Sequence, residues 1–197
     1  VSATATGKAS GTLSIEGVSQ LAKAARGVSK NPVNATGSTK ISSLFSTGEK
    51  MPEFIELKSI DASGKLASSS TKIDITADMT VDELISKINS SDAGVSAFFE
   101  QGKLSITAKN TGENKEGEAE IEVTAGASIF GKLGFDELKD KDAGILASDG
   151  KNARFSINGI ETERSSNAFS INGYNVTLKA TFNETPITKN PASAVTL

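Results

Sequence analysis

The sequence predicts a mainly β protein with one or two short helices. It is expected to form two small β-rich domains, the middle one inserted into a discontinuous one. Three observations point there. Apolar and polar residues alternate at a period of two in many short stretches, the pattern of half-buried strands. Asn158-Gly159 and Asn172-Gly173 sit between such stretches, and Asn-Gly is the strongest two-residue hairpin signal. Bulky side chains are also scarce: the 197 residues are 37% hydrophobic but only 5% aromatic, without Trp, while 26 are Ser and 18 are Thr. Such a chain fills thin β layers more readily than one deep interior.

The elements follow in order. Residues 1–8 are small and polar and read as a frayed start. Gly11 to Ile15 alternates, with Leu13 and Ile15 on one side, as a strand does. Val18, Leu21, Ala22 and Ala25 then follow a helical spacing, but Gly17 and Gly27 leave barely two turns. An isolated helix that short is marginal, so a long or bulged strand is preferred. Residues 28–50 contain Asn31-Pro32, Gly37 and Gly48 around a small apolar cluster of Ile41, Leu44 and Phe45. They read as a crossing between domains. Phe54 to Ile60 and Lys72 to Thr76 alternate as strands.

Thr80 to Asn89 carries the clearest local signal. Thr80 with Glu83 three residues later forms a capping box, and Val81, Leu84, Ile85 and Ile88 make one apolar face. Asp82 and Glu83 near the start and Lys87 near the end suit the helix dipole. Val95 to Glu100 and Lys103 to Lys109 form a hairpin around Gln101-Gly102. A charged loop, Glu113 to Glu118, precedes a strand from Ala119 to Thr124 and a short turn bearing Ile129, Phe130, Leu133 and Phe135. Residues 136–152 are rich in Asp, Lys and Gly and read as a second linker. Ala153 to Asn158, Ile160 to Arg164 and Tyr174 to Phe182 read as strands, and Val195-Thr196-Leu197 as a last one. Phe155-Ser156-Ile157-Asn158-Gly159 recurs as Phe169-Ser170-Ile171-Asn172-Gly173, a pair of similar hairpins and not a solenoid repeat.

The first strand needs a sheet, and the C-terminal hairpins present edges that need covering. Residues 1–45 and 149–197 are therefore expected to build one discontinuous β domain. Residues 46–148 are expected to form the inserted domain, with one helix at about 80–90. The missing initiator Met and the terminal strand read as cuts within a longer protein.

Composition excludes much chemistry. With no Cys and no His, thiol nucleophiles, disulfides, structural zinc and the commonest general base are lost together. A net charge of −3 with both signs interspersed gives no basic field for nucleic acid. No apolar stretch approaches a membrane span, and Val1 opens no signal peptide. Glu161 and Glu163 lie two apart on a strand beside Arg164, which is better read as a solvated strand face than as a glycosidase pair. Asp136, Glu137, Asp140 and Asp142 lack the spacing of a calcium loop. Ser86-Lys87 are neighbours pointing different ways on the helix. Asn34, Asn89, Asn175 and Asn183 open Asn-x-Ser/Thr triplets, expected by chance among 44 Ser and Thr. No catalytic, cofactor-binding or metal-ligating residue is expected, and no cofactor.

Several stretches resemble one family. Phe155-Ser156-Ile157-Asn158-Gly159-Ile160-Glu161-Thr162-Glu163-Arg164-Ser165-Ser166-Asn167, followed by Ile171-Asn172-Gly173-Tyr174-Asn175-Val176-Thr177-Leu178-Lys179, resembles the flagellar filament cap family, the hook-associated protein 2 proteins. In that family an Arg-Ser-Ser-Asn corner precedes a Gly-Val-Thr-Leu return, from which Tyr174-Asn175 departs slightly. Thr80 to Asn89, Ala93 to Phe99 and Gly102 to Thr107 resemble its helix-plus-hairpin unit, which flagellin variable domains share. Gly11 to Ala22 resembles the start of its head.

The heptads of the family's coiled-coil legs are missing, so the resemblance covers the two head domains. It implies a non-enzymatic, extracellular head at the flagellum tip, exported through the flagellar channel without a cleaved signal peptide. Its partners would be copies of itself in a cap oligomer, and flagellin, whose folding and insertion it would promote. An alternative reading is an adhesin binding host mucin or glycan, for which Tyr174, the single Tyr, offers little. Arg164-Ser165-Ser166-Asn167 reads as a corner held by Ser and Asn hydrogen bonds before it reads as a binding motif.

Overall fold

The computed structural model describes residues 1–5, 9–115, 118–183 and 195–196. Among them the first strands are β1 (Ser2–Ala5), β2 (Ser14–Gln20), β3 (Arg26–Val28), β4 (Phe54–Ser59) and β5 (Thr71–Asp74). Helix α1 (Val81–Ser90) follows, then β6 (Val95–Glu100), β7 (Lys103–Ala108), β8 (Ile121–Ala125) and a short helix α2 (Ser128–Lys132). The remainder holds β9 (Gly144–Ala147), β10 (Ala153–Ile157), β11 (Ile160–Arg164), β12 (Ala168–Ile171), β13 (Tyr174–Thr177) and β14 (Val195–Thr196). The fold is mainly β with two helices, as the alternation predicts.

Among the described residues the strands assemble into four antiparallel sheets, ordered β1-β13-β12, β11-β10-β2-β14, β3-β7-β6 and β5-β4-β8-β9. Two apolar cores form. The smaller contains Leu13, Ile15, Val18, Phe155, Ile157, Val176 and Leu178, all buried, with Phe169 stacked on Phe155 at 4.9 Å between ring centres. The larger contains Ile55, Leu57, Leu84, Ile88, Leu104, Ile106, Ile121 and Phe130, and α1 packs into it through Val81, Leu84 and Ile88.

Local chemistry accounts for the regular elements. The Thr80 hydroxyl accepts from the Glu83 amide at 3.3 Å, and the Glu83 carboxylate accepts from the Thr80 amide at 2.9 Å, so the capping box is complete. Gln101, Asn158 and Asn172 all have φ near +50° and are each followed by a glycine of positive φ. That pair of left-handed residues gives the tight twist that closes a two-residue hairpin. The helix-like spacing after Ile15 is resolved by irregularity in β2. Ile15 pairs with Ile157, Gly17 with Ser156 and Val18 with Phe155, with one register shift between Ile15 and Gly17. The extra residue turns both side chains into the same core.

The structure corrects four readings. Ser2–Ala5 is not frayed: it pairs residue for residue with Tyr174–Thr177, as β13 offers an edge needing cover. Residues 28–50 are no free crossing, because β3 pairs with β7, and Ile41, fully buried, donates its amide to the Met79 carbonyl at 2.8 Å. Residues 136–152 are not only linker, since they contain a 3-10 turn (Asp136–Leu138) and β9, which extends the β4-β8 sheet. β13 stops at Thr177, short of the strand expected to reach Phe182, although Phe182 still bridges to Val18. Leu197 and parts of the expected frayed start, charged loop and C-terminal domain segment lie outside the described residues.

Candidate interaction surface

The residues singled out by sequence are spread across the surface. Glu163 pairs with Arg154 at 3.5 Å, while Glu161 is exposed on the same edge strand. Arg164 turns back onto the Thr162 hydroxyl and the Glu163 carbonyl and lies over the Phe169 ring. Asp136 is held by Lys139 and Asn31, Glu137 by Lys30, and Asp142 accepts from the Gly126 amide. These carboxylates do not converge, and no cluster among the described residues could hold a metal ion. Ser86 is exposed, and Lys87 donates to the Asp74 carbonyl. The Tyr174 hydroxyl donates to the Gly11 carbonyl, and its ring packs on the smaller core.

Asparagine has a repeated structural use that spacing alone did not reveal. The Asn167 carboxamide accepts from the Ala22 amide at 2.7 Å and donates to the Ala22 carbonyl at 2.9 Å. Asn89 does the same to both backbone groups of Ala97, at 2.6 and 2.9 Å. In each case one side chain supplies the donor and acceptor that a neighbouring strand would, along edge strand β6 for Ala97 and in the stretch after β2 for Ala22. The triplet at Asn89 is thus a structural amide, and the Asn175 side chain bonds the Ser170 hydroxyl.

Where the two cores meet, the contacts are polar. Lys23 and Lys151 exchange backbone hydrogen bonds at 2.9 and 3.0 Å, so the chain enters and leaves the larger core as one antiparallel pair. Asp149 binds the Lys23 ammonium at 2.5 Å and the Arg26 amide at 2.7 Å. Burial pushes the Asp149 carboxyl up, but these two partners outweigh it and hold it below its ordinary value. Glu120, only 1% exposed, accepts from the Asn114 and Gly150 amides at 3.0 and 3.1 Å. A Cβ on Gly150 would stand 2.1 Å from the Gly112 carbonyl oxygen, so only glycine permits this approach. The 164–167 corner completes the seam: the Thr111 hydroxyl donates to the Ser165 carbonyl at 2.6 Å, and Ser165 packs against Gly64 and Gly112.

Four large hydrophobic side chains are exposed among the described residues: Val28, Phe98, Ile145 and Ile160. Val28 and Phe98 both pair with Ser105 from opposite sides, so they flank it on the outer face of the β3-β7-β6 sheet. Ile145 lines, with Val28 and Phe135, a shallow depression of about 200 Å³ beside that sheet. Three of the four thus gather on one side of the molecule, an arrangement typical of protein contact sites. No helix among the described residues is long and apolar enough to cross a membrane.

Comparison with known proteins places this architecture. Residues 55–110 match the family described as the flagellin hook IN motif. They run from β4 through α1 to the end of the β6-β7 hairpin. No curated protein matches the chain by sequence. The whole chain superposes on the D2-D3 domains of the flagellar cap protein FliD from Serratia marcescens, with 21% identity, a TM-score of 0.64 and 97% of that chain covered. It superposes equally on the D1-D2-D3 domains of FliD from Escherichia coli, at 22% identity and TM-score 0.64, covering 51% of that longer chain. FliD from Pseudomonas aeruginosa matches over the whole chain and 82% of its own length, at 18% identity and TM-score 0.58. The fold is that of the flagellar cap D2-D3 domains, as the resemblance in the sequence implied.

Proposed function

We propose that this chain is the head region of a bacterial flagellar filament cap, a non-catalytic module that oligomerises at the filament tip and promotes flagellin folding and insertion. The observation that carries the reading is the match over the whole chain to cap head structures. The hook IN motif over β4 to β7 supports it. In this reading the protein is extracellular and reaches the tip through the flagellar channel without a cleaved signal peptide. A chain without Cys suits that route, because no disulfide can form to obstruct it.

The head divides, in this proposal, into a discontinuous domain built from both ends and an inserted domain between them. The packing favours moving the crossing from residue 45 back to Lys23, because Ala25 and Ile41 belong to the larger core. The second crossing falls at Asp149 to Lys151.

The face bearing Val28, Phe98 and Ile145 is where we place the contact with a neighbouring copy. Three side chains bury far less than the roughly 1,000 Å² that a stable interface needs. The head alone is therefore monomeric or weakly associating, and the contact acts in the assembled cap. The test uses the full-length protein with Val28→Ser, Phe98→Ser and Ile145→Ser together. The expected result is an unchanged melting temperature with a smaller oligomer in light scattering and reduced rescue of motility in a cap-deficient strain. Full oligomer size and motility would remove this face from the assembly. Failure of the unaltered protein to rescue motility would remove the capping role itself.

A further inference from the structure

We infer that the two cores are held as one rigid body by three polar contacts at their seam, with the buried Glu120 carboxylate fixing the outgoing crossing. Two covalent crossings alone would leave the larger core free to swing about the Lys23–Lys151 pair. Glu120 fastens the outgoing crossing to the larger core from inside. It sits on β8's approach, within the larger core's sheet, and reaches the amides of Asn114 and Gly150, the latter on the outgoing crossing. Glu113, next to Asn114 in the chain, is tied to the smaller core's side by Lys151 and Arg154, each at 3.6 Å, and by its own amide to the Asn152 side chain.

The second contact is Asp149, gripping Lys23 and Arg26. The third lies at Ser165, remote in sequence from both crossings, where the Thr111 hydroxyl and two glycines receive it. A buried carboxylate satisfied by backbone amides is held to narrow geometry, because any opening leaves it without partners in a dry site. Rotation of one core against the other would break the Glu113 and Ser165 contacts, which span the seam, while Glu120 and Asp149 hold the two crossings about which it would turn. The inference does not depend on what the head binds.

The absence of Cys makes the test direct. Spin labels on Ser96→Cys and Glu161→Cys, both exposed and on different cores, report the distance between them. The native pair should give a single narrow distance distribution. Glu120→Ala should broaden or split it while circular dichroism keeps the strand signal. Thr111→Val, which deletes only the donor to Ser165, should broaden it to a lesser degree and keeps the test decisive should Glu120→Ala fail to fold. A broad distribution in the native pair would overturn the rigid body, and a Thr111→Val distribution as narrow as the native one would overturn the locking by these contacts.

Discussion

At the scale of single residues, stability at the seam rests on a few side chains that replace missing backbone partners. Asn167→Ala would leave the Ala22 amide and carbonyl without their partner in a partly buried place. The expected cost is about 1–3 kcal/mol, measurable by urea melts. A second residue-scale consequence concerns acid. Asp149 is held below its ordinary value, and so are Glu49 by Lys132, Asp61 by Ser63, Asp78 by Lys40 and Asp136 by Lys139. A carboxyl with a depressed folded value contributes stability above its unfolded value, about 4, and loses it as pH falls through the folded value. Thermal melts should therefore change little from pH 8 to 6, where no His titrates, and fall progressively below about pH 4. Solvent screening keeps each contribution small, since these groups are largely exposed.

At the scale of elements, the crossing has a geometry that can be used. Lys23 and Lys151 form the hydrogen-bonded pair that flanks a two-residue hairpin. Replacing residues 24–150 with Asn-Gly should close the crossing as a tight turn and leave the smaller core folded. The check is a strand-rich circular dichroism spectrum with a cooperative melt for the shortened chain; an unfolded product would show that the ends cannot stand alone. What the sequence revealed of the elements follows the same logic. Helix α1 and the three tight hairpins were legible because their signals are local: a capping box and residues that tolerate positive φ. β1, β3 and β9 were missed because they are short and weakly patterned, and their partners lie far away, as with Ser2 opposite Thr177. The seam was illegible for the same reason. Glu120 stands in a run of ordinary surface charges, and only folding brings Gly150 to it. The Arg164-Ser165-Ser166-Asn167 corner was recognised as a turn, but that Asn167 would serve Ala22 could not be read from spacing.

At the scale of the whole molecule, the two cores differ in how far along the chain they reach. The larger core is built between Ala25 and Ala147. In the smaller core, β2 is bordered by β10 on one side and by β14 on the other, with Ile15 opposite Val195. Pairings between such distant residues form late, since their loop-closure entropy must be paid before contacts reward it. A chain emerging N-terminus first from a ribosome or a pore can thus finish its middle while its beginning still waits. Pulse-labelled hydrogen exchange during refolding should protect the amides of α1 and β6 to β8 before those of β2 and β10. The early strands would spend that interval with open edges, so the moment of greatest vulnerability to sticking falls just before Val195 and Thr196 arrive.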